Sequence, residues 1–549
     1  MNRILPFFLV AVLLFTCKQT NDLKSDENKK ITESAINSNL PLVAPKNKFV
    51  ADGVYPIPHG EPAQQDATDL AGPEDVSRTL NLDEIQYVFT GPGSIGGYTS
   101  NIYSNGERVL WLSAINGIFK INEETYEIID HYPTPNAERY TEEYAQKFID
   151  GFDADSGLNN IELAAEASKV WSDVSGVYAV VDKDNNFFVA DKLGNITAYG
   201  DSVEGDINSE IEIKKKFGMP KEASGPTLGM NVTYDGWIVM STENGYLVAI
   251  NRDLNDYRLV RLTHATDENT TSQGVGKGWV RNSLAIDKDG GIYVASRDHM
   301  HKVIWKNEQF STEIRDGAWT AQYNNSTGMG TGSTPSLMGF GDEDQFVVIT
   351  DGDIQMNVTI FWRNEIPEDW EQLENAPSRR IAGMVPVNMG ELKVSAIQTE
   401  QSAIVAGYGI FVVNNSPRNV PENMPKAVEG LIVGNLGSNP DLQPYGVEKF
   451  EWDPQSKKLT SAWANTKVSS PNGVPYVSLG SNMVYFIGAR NDLWTLEALN
   501  WDTGISAFHY IIGGQKYNSL YSGPVINSNG SIMYGSSWGR VKITPKFIE

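Results

Sequence analysis

AVVDKDNNFFVAD, residues 179–191, is two short apolar runs hinged on a polar turn. LAIDKDGGIYVAS, residues 284–296, and VINSNGSIMYGS, residues 525–536, have the same form. The three are one hairpin written three times: β-branched and aromatic residues flank a turn rich in Asx and Gly. Acidic pairs at this spacing can also suggest calcium. None of the three has the distal Glu that a calcium loop requires, so a turn capped by Asx side chains is expected.

A second phrase recurs after the hairpins, with a glycine ahead of another strand-like run. It reads NGIFKINEET at 116–125, LGNITAYGD at 193–201, NGYLVAINRD at 244–253 and WGRVKITP at 538–545. The repeating unit is therefore four short strands. A repeat of that length and type predicts an all-β fold, a β-propeller of four-stranded antiparallel blades. In such a fold the first strand of each blade lines the centre. Small polar groups precede or enter the candidate first strands at matching places: Asn101, Asp173, Asn231, Asn282, Thr334, Glu400, Asn472 and Asn518. Their phasing predicts eight blades, with seven as the alternative. The last repeat, near 522–545, is a strand short. EIQYVFTG, residues 84–91, is expected to supply that strand and close the ring, which removes the exposed sheet edges that invite aggregation. Two segments break the pattern, at about 136–172 and 414–445. The first contains helix-forming stretches around 141–150 and 160–171. Loops this long are expected to cover one mouth of the channel.

The chain of 549 residues carries 50 Gly, 26 Pro, 40% hydrophobic residues and a formal charge of -25. The first three suit a turn-rich β protein with a sizeable core. The charge repels phosphate backbones, so no nucleic-acid partner is expected. The N-terminus, MNRILPFFLVAVLLFTC, has one basic residue and an apolar run that ends at Cys17, the only cysteine. The run is too short to span a bilayer and reads as a secretory signal, residues 1–16. Residues 17–82 are polar, then rich in Pro and small residues, and are expected to form a disordered tether ahead of a propeller over 83–549. His59 in this stretch is expected to face solvent.

Two resemblances follow from particular residues. Leu14-Phe15-Thr16-Cys17 resembles the lipobox of bacterial lipoproteins. That resemblance implies acylation of Cys17, contact with the membrane through the lipid anchor alone, and a place in the cell envelope. Lys18 after the cysteine favours the outer membrane. The second is ALNWDTGISAF, residues 498–508. It resembles the A-x-D-x-x-T-G-x-x-x-W repeat of the PQQ-like, quinoprotein-type propeller superfamily. Ala498, Thr503 and Gly504 match, while Asn500 replaces Asp and Phe508 replaces Trp. FEWDPQSKKLTSAW, residues 450–463, is a more degenerate copy ending in Trp463. The resemblance implies a structural role for the motif, with the Thr-Gly turn and the terminal aromatic packed between blades. It allows PQQ with calcium as an alternative cofactor set. It also allows a non-catalytic envelope scaffold, since the superfamily includes assembly lipoproteins. The vicinal cysteine pair of the large alcohol dehydrogenases cannot form in a chain with one cysteine.

Candidate chemistry is spread over the repeats. His299 and His301 alternate onto one side of a strand and could serve as a metal pair or general base. Glu400 is the candidate carboxylate base. Arg490 and Tyr517, with Arg281 and Tyr408, are available near inner strands. Asn231, Asn282, Thr334, Asn472 and Asn518 would offer amide and hydroxyl groups to a polar ligand, with Trp538 as a stacking face. Asp351 and Asp353 are the candidate metal carboxylates, in the least repeat-like unit. The expected function is binding or processing of a small polar organic ligand, sugar- or polyol-like, in a central funnel of a monomer.

Overall fold

The computed structural model describes residues 43–52, 61–135, 138–171, 174–265, 276–341, 343–390, 396–422, 424 and 427–546. The signal segment, Cys17, His59 and Asp173 lie outside the described residues.

Among the described residues the strands assemble into eight sheets, each with four antiparallel core strands. In chain order their first strands are Gly97–Thr99, Ala179–Val181, Thr227–Val232, Ala285–Ile286, Ser336–Met338, Ile404–Ala406, Tyr476–Ser478 and Val525–Ile526. The first seven sheets each add the next three strands of the chain. The eighth adds Ile532–Gly535 and Gly539–Ile543, and takes its fourth strand from Ile85–Phe89, as the short last repeat requires. The repeated hairpins form as read. Asp182 Oδ1 accepts from the backbone N–H groups of Asp184 and Asn186, both at 2.9 Å. Asp287 Oδ1 does the same for Asp289 and Gly291, at 2.9 and 2.8 Å. The fourth turn residue is left-handed in all three copies, Asn185, Gly290 and Gly530, which is why Asn or Gly stands there. The second carboxylate oxygens accept from side chains, Arg252 for Asp182 and Tyr293 for Asp287.

Each sheet shares an apolar core with the next. Trp111, Phe187 and Ile238 join the first three sheets. Val239 and Val294 join the third to the fourth, and Tyr293 and Val347 the fourth to the fifth. Phe346 and Phe450 join the fifth to the sixth, and Phe411 and Phe486 the sixth to the seventh. One further core contains Tyr485 of the seventh sheet, Tyr534 of the eighth and Leu110 of the first. The 498–508 motif belongs to this packing. Asn500 Oδ1 accepts from Thr503 N and Oγ1, Gly504 is left-handed at φ 68°, and the Trp463 indole donates to the Trp501 carbonyl at 3.0 Å. Phe508 is buried beside Tyr510.

The insertion expected at 136–172 contains helices Glu142–Ala154 and Ile161–Trp171. Thr141 caps the first, accepting from Tyr144 N at 3.1 Å. Ala145, Phe148, Ile149 and Phe152 recur at helical spacing and are buried. They share a core with Ala164 and Val170 of the second helix, with Ile432, Leu436 and Leu442 of the other insertion, and with Trp538. The two insertions are thus one packed layer.

The tether expected over 17–82 is corrected in its described part. Residues 62–68 run along the first strands of the fourth to seventh sheets. Ile286, Leu337, Val405, Val477 and Leu479 donate backbone N–H groups to the carbonyls of Pro62, Ala63, Gln65, Asp66 and Thr68, at 2.7–3.0 Å. Ala67–Thr68 is a parallel strand on Tyr476–Ser478, and Arg78–Thr79 another on Tyr510–Ile511. Composition reads as unfoldable only when a segment must bury its own surface. Here sheet edges with unpaired N–H groups supply the partner.

Candidate functional site

Each sheet has two ends. The turns between first and second strands mark the hairpin end. The segments entering the first strands, and the turns between second and third strands, mark the entry end. Four side chains from four entry segments interact. Arg281, entering the fourth sheet, forms an ion pair with Glu400, entering the sixth, and its Nη1 donates to the Met329 carbonyl at 3.3 Å. Tyr178 enters the second sheet and Tyr521 the eighth. Both phenols feel the charges of Arg281 and Glu400. Burial pushes the Tyr178 hydroxyl up to about 12 and raises that of Tyr521, so both stay protonated at neutral pH. Yet both residues remain partly open to solvent. The Glu400 side chain is 46% exposed and that of Arg281 23%. The pair is therefore reachable. Leu520 and Tyr521 are both left-handed, at φ 37° and 65°, an uncommon conformation for residues with large side chains. It turns the chain where Tyr521 meets the 427–436 segment, whose Gly430 carbonyl accepts from its hydroxyl at 3.5 Å.

The amides expected to ring this site are spent on architecture. Asn472 Nδ2 donates to the Val433 carbonyl at 2.8 Å and to Asn518 Oδ1 at 3.0 Å, and its Oδ1 accepts from Ser519 Oγ. Asn518 Nδ2 donates to the Gly434 carbonyl at 2.8 Å. Both are fully buried and fasten the 432–436 turn to the sheets. Asn231 is also buried and bonds the carbonyls of Pro62 and Leu284. Asn282 donates to the Thr331 carbonyl, and Thr334 Oγ1 accepts from Ser283 N. The phasing that identified these positions is real, but it records sheet-to-sheet stitching. Trp538 is likewise buried, stacked on Phe148 at 5.4 Å and beside Trp171 at 5.9 Å, so it anchors the helices.

The remaining candidates do not converge on the Arg281–Glu400 pair. His299 and His301 share a side, with ring centres 6.2 Å apart. His301 is buried between Ser296 Oγ at 2.8 Å and Thr320 Oγ1 at 3.2 Å. Burial holds its imidazole down at about 3, so it is neutral. His299 stacks on His264 and is also lowered, first by burial. Arg490 is held by Glu497 through two bonds of 2.8 and 2.7 Å. Tyr517 packs on Gly513, and its carbonyl accepts from Tyr534. Asp351 accepts from Asn357 N and Nδ2, at 2.8 and 2.6 Å, and Asp353 accepts from Ser326 N. Burial raises the Asp351 carboxyl to about 7, with the charge of Asp353 adding to the shift. Among the described residues no group of three or more His, Cys, Asp and Glu side chains is placed to hold a metal ion. Of the candidates first read from sequence, Glu400 stands in the converging site; Arg281 was legible as an arginine near an inner strand. Tyr178 and Tyr521 carried no signal beyond their phase in the repeat.

No family model matches the chain. An uncharacterized protein of Archaeoglobus fulgidus is 34% identical over 458 residues, covering 81% of this chain and 79% of that protein. Among solved structures, quinohemoprotein alcohol dehydrogenase from Comamonas testosteroni aligns with a TM-score of 0.48 at 10% identity, over 94% of this chain and 83% of that one. BamB from Moraxella catarrhalis aligns with a TM-score of 0.37 at 11% identity, over 66% of this chain and 86% of that one. At these values neither fixes an activity or a number of blades.

Proposed function

This chain belongs to one family with the uncharacterized Archaeoglobus fulgidus protein, and from that premise we propose that it is an eight-bladed β-propeller binding a small polar organic ligand, sugar- or polyol-like, in a central funnel. The cyclic sharing of apolar cores supports eight blades, because the seventh, eighth and first sheets meet in one core. The pairing of Ile85–Phe89 with Gly539–Ile543 supports closure by the N-terminal strand. We further place the protein at the cell envelope, as an outer-membrane lipoprotein held through acylated Cys17.

The observation that carries the ligand reading is the Arg281–Glu400 pair, drawn from alternate sheets and flanked by Tyr178 and Tyr521. Guanidinium supplies donors, carboxylate supplies acceptors, and a protonated phenol supplies both. The phenol rings add faces against which an apolar sugar face can stack. This set recognises hydroxyl groups.

PQQ with calcium finds no ready-made partner set at the Arg281–Glu400 site. The quinone carries three carboxylates, and the one guanidinium identified in the site is already paired with Glu400. The carboxylates proposed for calcium, Asp351 and Asp353, are bonded to Asn357 and Ser326.

The test is calorimetric titration of the purified full chain with a panel of neutral monosaccharides and polyols. Saturable binding near one equivalent is expected, weakened at least tenfold by Arg281→Ala and by Glu400→Gln, with Arg490→Ala unchanged. Binding that ignores both Arg281 and Glu400 would sink the reading.

A further inference from the structure

At the hairpin end of the fourth and fifth sheets lies a separate cavity of about 370 Å³. Its lining includes Arg363, Phe340, Ile286, Tyr234, Lys288 and Asn364. Arg363 ends the third strand of the fifth sheet and is 3% exposed. Its Nη2 donates to the Gly339 carbonyl, and its guanidinium lies over the Phe340 ring at 5.3 Å. Nε and Nη1 have no hydrogen-bond partner, although both are buried. Leaving a buried donor without a partner is unfavourable, and more so when the group is charged. Arg363 carries that cost twice, beside a cavity large enough for an organic molecule.

The local charge balance points the same way. Lys302, 8% exposed, donates to the Arg363 carbonyl at 3.2 Å and to Asn364 Oδ1 at 2.8 Å, so a second buried cation stands behind the first. Asp287 is an acid of the same wall. Its Oδ1 accepts two backbone N–H groups and its Oδ2 accepts from Tyr293 at 2.6 Å. Asp289 is exposed and paired with Lys288. The two buried cations, Arg363 and Lys302, therefore have beside them Asp287, whose oxygens are already taken, and at the exposed rim Asp289, which is paired with Lys288. Burying charge without a counter-charge is unfavourable, and the missing element is an acceptor of negative charge.

We propose that this cavity is a second ligand site, which takes a small organic carboxylate on the free nitrogens of Arg363 with its apolar body against Phe340 and Ile286. Carboxylate suits it better than a bare inorganic anion because the lining combines guanidinium with an aromatic face and apolar side chains. The site is independent of the Arg281–Glu400 funnel, which uses entry segments at the other end of the sheets.

The experiment is titration of the full chain with sodium benzoate and sodium succinate at constant ionic strength, read by calorimetry and by thermal shift. Benzoate is expected to saturate one site and raise the melting temperature, while sodium chloride at equal strength does not. Arg363→Met is expected to abolish binding with melting unchanged or raised, since an apolar side chain of similar length removes the unpaired charge. Lys288→Glu, at the exposed rim, guards against a misfolded Arg363→Met variant: it is expected to weaken benzoate severalfold. Arg281→Ala is expected to leave benzoate binding intact. No saturation by either acid, or equal affinity in the Lys288→Glu and wild-type chains, would overturn the proposal. So would loss of binding in Arg281→Ala, which would place the acid in the funnel.

Discussion

The two ends of the sheets solve opposite problems. At the hairpin end, the first strands of four sheets are covered by backbone: five N–H groups meet five carbonyls of residues 62–68. Glu61 fastens the start of this strap by accepting from the N–H groups of Gln64, Gln65 and Asp66. At the entry end, the cover is made of side chains. Helices packed on Trp538 and a turn held by Asn472 and Asn518 form a lid that leaves Arg281, Glu400, Tyr178 and Tyr521 reachable. Backbone pairing is insensitive to side-chain identity and gives closure. Side-chain packing can leave a chosen gap, and so gives a site.

The sharpest break of that contrast is removal of the strap. Deleting residues 43–69 takes away at least seven backbone hydrogen bonds, the five to residues 62–68 together with Ala51 N to the Val181 carbonyl and Lys183 N to the Phe49 carbonyl, at about 1 kcal/mol each, offset in part by the entropy of ordering the strap. A lower melting temperature and concentration-dependent association through the bared edges are expected, with affinity for the funnel ligand retained. Light scattering beside calorimetry reads both. If funnel binding disappears with the strap, the two ends are coupled and the contrast fails. Next in size is Trp538→Ala at the other end. Loss of a buried tryptophan costs about 3–5 kcal/mol. Hydrogen exchange is expected to rise over Glu142–Ala154 and Ile161–Trp171 while the strap stays protected. Funnel affinity should fall with it. Retained helix protection would show that Trp538 does not anchor the lid.

How much of this was legible depended on whether a residue's role was local. The hairpins were readable because Asp182 and Asp287 cap turns within five residues of themselves. Helix Glu142–Ala154 was readable because its apolar spacing and its Thr141 cap are both in the sequence. The missing strand of the last repeat was readable as a deficit in a count. The strap was not, because its stability comes from edges hundreds of residues away, and its own composition argues for disorder. The asparagines mislead for a related reason. A buried amide that bonds a neighbouring sheet and a free amide that bonds a ligand occupy the same phase of the repeat. Only the partner tells them apart: Gly434 for Asn518, Pro62 for Asn231. Arg363 gave no signal at all, since an unmade hydrogen bond exists only in three dimensions.

The finest test of the contrast is titration of one raised acid from each end. Burial raises Asp351, at the entry end, to about 7, and raises Glu61, at the hairpin end, well above its usual value. A raised carboxyl means that the folded protein holds a proton the unfolded chain has already lost. Each acid therefore contributes stability that is fully present below about pH 4, the ordinary carboxyl value, and is lost as pH rises through its folded value. For Asp351 the window runs from about 4 to about 7. Asp351→Asn is expected to flatten that part of the stability curve while keeping an oxygen for Asn357 N. Glu61→Gln is expected to flatten the curve above pH 4.5 and to loosen the strap's exchange protection slightly, since one amide oxygen replaces two carboxylate oxygens. Chemical denaturation between pH 4 and 8 separates them. If each substitution removes its own share and the double variant removes the sum, the two ends titrate independently, as their different construction requires. A double variant that removes less than the sum would mean that protonation at one end is felt at the other, through the first strands that both covers share.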